Sequence, residues 1–136
     1  RRGYGMKKPT YYVAVFGDPD PPEKDTVESG RYHLGISGRS LPGEPGDILL
    51  LYCTGNYKGH SCSVPGIGIM LTKDHGTIYY RYLPFVHPIS KYTIDNSFIK
   101  EDKSKFGNIR FNSHWFFEIS RDSFCATIDS VLMSWP

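Results

Sequence analysis

The chain is short of cysteine, lacks long apolar runs and is nearly balanced in charge, and each of these removes a class of protein. Three cysteines in 136 residues, Cys53, Cys62 and Cys125, form an odd set without a C-x-x-C pair, which excludes a disulfide scaffold and a zinc ribbon and leaves reduced thiols. Sixteen Lys+Arg against fourteen Asp+Glu give a formal charge of +2, so any contact with nucleic acid must be made by one local face instead of by the whole surface. No apolar run reaches the roughly 18 residues needed to span a bilayer, and no leader has the order of a signal peptide, so the sequence reads as soluble and cytoplasmic. The patterns G-x-S-x-G, H-E-x-x-H and the phosphate loop are missing. Five histidines are scattered, and the one His–Cys neighbourhood, "GHSC" (59–62), suits neither a zinc pattern nor a nucleophile dyad. No enzyme, metal or cofactor is expected.

What the chain has in quantity is aromatic. Ten tyrosines, eight phenylalanines and two tryptophans make up 15% of it, while the apolar fraction is 39%, slightly low for a globular domain. Tyrosine joins a stacking face to a polar tip and suits both small cores and wet binding sites. The length fits one domain, taken as 10–136, with 1–9 read as a frayed lead-in or expression remnant.

Strand and turn signals recur along the chain. "TYYVAVF" (10–16) reads as a strand stopped by Gly17-Asp18-Pro19, and Pro21-Pro22 opens a short helix from Glu23 to Ser29 that Gly30 ends. "RYHLGIS" reads as loop. "ILLLYC" (48–53), apolar at successive positions, is the best central strand. "PGIGIMLT" (65–72) carries glycines that mark a bulge or a close neighbour. "TIYYRYLPFV" (77–86) is a long strand whose Pro84 puts its later part at an edge or bend. "IDNSFIKEDK" (94–103) reads as a helical turn and "IRFNSHWFFEI" (109–119) as a strand. Ser120 caps a last helix with Phe124, Ile128, Val131 and Leu132 on one face. The fold class is α+β: a strongly bent mixed sheet or small barrel of five to six strands with two or three short helices.

Aromatics sit beside glycine and short polar residues in "RYHLGIS", "CTGNY" (53–57) and "FNSHWFF" (111–117). Glycine admits a ligand to the backbone, rings sandwich a flat group, and Asn, Ser or Thr reads its edge. For each segment alone, core packing explains the rings better than binding does; the three together point to a binding site.

In order, these segments resemble an EVE domain of the PUA-like superfamily, related to the YTH readers of methylated adenine. The likeness runs from Tyr11 to Ile128. "LPGEPGDILLLYCTG" (41–55) is similar to that family's P-G-D strand, its most specific match. "SGRYHLGISGR" (29–39) stands in the place of a W-G-V-R segment, with Tyr32-His33-Leu34 where the family has tryptophan, and Met70 stands where an acid is common. The resemblance implies a nucleic-acid-binding module that flips a methylated base into an aromatic pocket, as the specificity domain of a modification-dependent restriction system. Its partner would be DNA before RNA, with a nuclease or NTPase motor fused or associated. The implied base-binding residues are Phe16, Gly17, Asp18, Tyr32, His33, Leu34, Thr54, Tyr79, Asn112, Ser113 and Trp115. Tyr32 or His33 forms one wall, with Trp115, Tyr79 or Tyr80 opposite. Phosphates fall to Arg31, Arg39, Lys58, Lys73, Lys103, Lys105 and Arg110. The alternative is an ASCH-like hydrolase acting on RNA or modified nucleosides, although the lysine-threonine-glutamate combination of that group is not evident.

Overall fold

The computed structural model describes residues 8–17, 26–33, 40–57, 59–107 and 116–133. Along the chain these form β1 (Tyr11–Phe16), a 3₁₀ turn (Val27–Ser29), β2 (Arg31–His33), β3 (Ile48–Tyr57) and β4 (His60–Asp74). There follow β5 (Thr77–Ser90), α1 (Lys91–Ser97), α2 (Lys100–Gly107), β6 (Phe116–Ile119) and α3 (Arg121–Met133). The strands make one curled half-barrel sheet in the order β2-β5-β4-β3-β1-β6. Among the described strands only β1 and β3 run parallel, and the other pairings are antiparallel. This is the α+β, bent mixed sheet that the strand and turn signals imply. No helix among the described residues is long and apolar enough to cross a membrane.

Strand periodicity explains how one sheet carries two cores. Successive side chains of β1 and β3 point to opposite faces. Val13, Val15, Leu50 and Tyr52 therefore join one cluster, while Tyr12, Ala14, Phe16, Leu49, Leu51 and Cys53 join the other. A strand buried on both faces needs apolar residues at consecutive positions, which is why "ILLLYC" lies at the centre. The helices cover the convex face. Phe106 of α2 meets Tyr52 edge-on at 4.6 Å, and Phe124 of α3 stacks on Tyr11 at 4.5 Å.

Two buried carboxylates tie the elements. Asp47, in the Pro-Gly-Asp turn, accepts the Thr10 amide (3.0 Å) and the Glu44 amide (2.9 Å). Its own carbonyl takes the Met70 amide at 2.8 Å, so one residue registers the start of β1, the turn and β4. Gly46 supplies the positive φ of 94° that the turn requires. On the helix side, Asp102 accepts the Ser123 hydroxyl (2.6 Å) and the Ser120 amide (3.0 Å), joining α2 to α3. Ser120 also caps α3 by accepting the Ser123 amide at 3.1 Å.

The glycines of β4 admit rings. A Cβ on Gly68 would lie 2.6 Å from the Tyr80 ring, and one on Gly66 would lie 2.5 Å from the Leu83 carbonyl. The close neighbour they imply is thus the tyrosine-rich β5. Pro84 pairs with Gly66, next to a register shift. β2 pairs only with residues 77–79 of β5, so among the described strands Pro84 lies where β5 has no second partner, a place that tolerates a residue without an amide donor.

Several local expectations are corrected. "RYH" is a strand, because Tyr32 fills the sheet interior and its neighbours are free to face the other way. The helix expected over Glu23–Ser29 is a 3₁₀ turn in its described part, 26–29, ended by Gly30 at φ 71°. "IDNSFIKEDK" belongs to two helices, with Ser90 capping α1 by accepting the Thr93 amide. The strand expected over 109–119 is described only at 116–119, its earlier part lying outside the described residues. Leu132 stays 61% exposed, so the packed face of α3 is Phe124, Ile128 and Val131.

Replacing Asp47 by Ala strands two amides and loosens both β1 and the turn. Loss of two hydrogen bonds to a charged group lowers the unfolding free energy by about 3–6 kcal/mol. Urea unfolding checks this, with a lower midpoint and an unchanged slope as the expected outcome.

Candidate nucleic-acid interface

The end of the half-barrel where β1 and β3 finish gathers residues from three distant segments. Phe16 and Gly17 come from the end of β1, Tyr32 from β2 and Thr54 from β3. Phe16 and Tyr32 meet edge-on, with ring centres 5.0 Å apart. The Thr54 hydroxyl donates to the Phe16 carbonyl at 3.3 Å, leaving its oxygen able to accept. Gly17 is exposed, with open space where a side chain would be, so a ligand can approach the backbone there. β6 begins at Phe116, opposite Ala14, and the Phe116 ring reaches Tyr32 with centres 5.7 Å apart.

Tyr32 does not present a face to solvent. It is 3% exposed, held between Phe16 and Phe116, and burial pushes its phenol well above the ordinary tyrosine value, against a smaller opposing effect of a backbone hydrogen bond at Val15. Tyr80 is likewise interior, its hydroxyl donating to the Val27 carbonyl at 2.6 Å. The opposed walls expected of Tyr32 and Tyr79 do not form. Tyr32 pairs with Ile78, and both lie in the concave cluster, so Tyr79, one residue on, faces the convex side. His33 faces that side too, its Nδ1 within 2.8 Å of the Thr77 hydroxyl. The expected single site is therefore divided between two faces: Phe16, Tyr32 and Thr54 at the barrel end, His33 and Tyr79 on the convex side. Asp18, Leu34, Asn112, Ser113 and Trp115 lie outside the described residues.

The expected phosphate ligands come from several elements. Arg31 stands on β2 opposite Tyr79. Lys73 on β4 donates to the Leu41 carbonyl at 2.6 Å, and Lys105 on α2 donates to the Glu118 carbonyl at 2.9 Å, so both ammonium groups already serve the fold. Lys103 is exposed on α2. Arg39, Lys58 and Arg110 lie outside the described residues.

Two residues escaped sequence reasoning. Phe116 joins the interior while Phe117 joins the helix-side core, a split that the doublet "FF" in a strand signals by alternation. Arg81 shares the convex face with Tyr79, as the i, i+2 spacing in "YYRY" allows. An open cleft of about 460 Å³ lies elsewhere, lined by Lys8, Pro9, Thr10, Tyr11, Glu118, Ile119, Ser120 and Arg121, and contains none of the expected site residues. Among the described residues no three His, Cys, Asp or Glu side chains are grouped to hold a metal.

Comparison of the sequence with known proteins returns neither a matching family model nor a matching curated protein.

Cys53 lines the concave core beside this end, where burial, with a smaller contribution from Glu28, pushes its thiol up from 9.0 to about 12. The folded state keeps the proton over this window while the unfolded chain gives it up. Stability is full below pH 9.0 and falls as pH rises towards about 12, at a limiting slope of about 1.4 kcal/mol per pH unit for this group. Urea titrations across this range should show the fall in the wild type and a shallower one in Cys53→Ala; identical slopes would remove Cys53 from the effect.

Proposed function

We propose that this chain is a nucleic-acid-binding module that recognises a methylated base extruded into the end of its half-barrel, in the manner of an EVE domain serving a modification-dependent restriction system. The observation that carries the reading is the convergence of Phe16, Tyr32 and Thr54, from three separate segments, beside the exposed Gly17.

A paired base hides its hydrogen-bonding edge, so reading the whole base means rotating it out of the stack at a cost of a few kcal/mol. Stacking on an aromatic side chain offsets about 1–3 kcal/mol. In this reading Trp115 supplies the stacking face and Asp18, Asn112 and Ser113 contact the base edge. Tyr32 is the rigid backing of the slot, not one of its walls. The Thr54 oxygen accepts from an exocyclic amine. One methyl group contributes only about 1 kcal/mol or less by area, so discrimination depends on a slot that does not yield, and a ring fixed on both sides is suited to line it.

Fluorescence anisotropy with single- and double-stranded oligonucleotides carrying methylated cytosine or adenine tests the reading. One modified strand should bind more tightly than its unmodified counterpart. Trp115→Ala should abolish that preference and leave weak, salt-sensitive binding. Equal affinity of the wild type for every modified and unmodified strand overturns the proposal.

A further inference from the structure

The convex face of β2, β5 and β4 beyond the helices remains unabsorbed by the barrel-end site. Tyr79 lies at its middle, on the central one of three strands, with Arg31 directly opposite on β2 and Thr72 on β4. A bulge at Leu71 sets two β4 residues against this one tyrosine, broadening the surface around the ring. Arg81 and Leu83 follow on β5 at two-residue intervals, and His33 lies diagonally across from Tyr79 on β2. Tyr79, Leu71 and Leu83 are 39%, 58% and 36% exposed. The only acid in these three strands is Asp74, at the tip of the β4–β5 hairpin.

We propose that this face docks single-stranded nucleic acid, with Tyr79 stacking on a base and Arg81 holding a neighbouring phosphate. Successive convex-face positions on a strand are about 7 Å apart, so Tyr79 and Arg81 meet one short stretch of backbone and base. The charge selects the occupant. Arg81 two residues on, Arg31 directly opposite and His33 on one diagonal outnumber the one carboxylate of these strands, Asp74 on the other diagonal, which lies 3.9 Å from the His75 imidazole. A ring in that setting complements a polyanion whose bases offer flat faces. A duplex hides those faces in its own stack, so the surface favours an unpaired strand. The proposal does not rest on base reading at the barrel end, which lies on the opposite side of the sheet.

Unmodified labelled oligo-dT and oligo-U of about 12 nucleotides, titrated with the whole chain between about 50 and 200 mM salt, test it. The wild type should bind single strands more tightly than a hairpin duplex. Tyr79→Ala should weaken binding about tenfold or more, while Tyr79→Phe keeps it. Arg81→Ala should flatten the log–log salt dependence by about 0.7. Both side chains are exposed, so wild-type melting is expected; should Tyr79→Ala melt early, the Arg81→Ala salt slope decides. Unchanged affinity in Tyr79→Ala together with an unchanged slope in Arg81→Ala overturns the proposal. So does failure of the wild type to bind at low salt, the result expected of a protein-docking face. Tyr79-dependent binding without any preference for methylated bases sustains this proposal while overturning the base-reading one.

Discussion

The ring of Tyr32 joins the two edges of the sheet. β2 and β6 are the outermost strands of an open order, yet Tyr32 on β2 touches Phe116 on β6 and Phe16 on β1. The sheet is held in its curl at this point by aromatic packing. Backbone hydrogen bonds between strands are short and directional, and they set spacing within the sheet; a bulky ring spans the wider gap between its edges. The curl then gives the concave core its shape and brings Phe16, Thr54 and Phe116 to one end. Had Tyr32 faced solvent, the edges would lack this filling and the barrel end would open.

Two carboxylates perform a comparable task with polar chemistry. Asp47 and Asp102 are both buried, a costly position that is tolerated because each oxygen set is spent on amides or hydroxyls. Asp47 registers β1, the turn and β4, so the central strands enter the sheet in phase. Asp102 locks the ends of α2 and α3 over the convex core. The Pro-Gly-Asp motif thus has a structural explanation in this chain.

Because the sheet alternates, neighbouring residues of β2 and β5 serve different surfaces. Tyr32, Ile78 and Tyr80 build the interior, while Arg31, His33, Tyr79 and Arg81 decorate the convex side. An aromatic-rich sequence distributed this way supports a rigid interior and an aromatic, cationic exterior at once, and the exterior faces away from the barrel end. The proposed recognition of a base and the proposed docking of a strand therefore fall on opposite faces.

Much of this architecture was legible in advance. Consecutive apolar residues at 48–53 marked the central strand, glycines at 66 and 68 marked the approach of β5, Pro84 marked a poorly partnered stretch, and Ser120 marked the start of α3. Each signal is local, since a dihedral preference, a missing side chain or a missing amide acts within a few residues of itself. The strand at Arg31–His33, the division of 91–107 into two helices and the exposure of Leu132 were not legible, because each depends on which distant surface happens to lie opposite. Periodicity and backbone chemistry local to each segment are enough to set most of the strands and turns and the two-faced burial of the centre. That Tyr32 and Tyr79 stand on opposite faces and that Phe16, Tyr32 and Thr54 converge follows instead from strand register and curl, which direct the side chains and are set by packing between residues far apart in the chain.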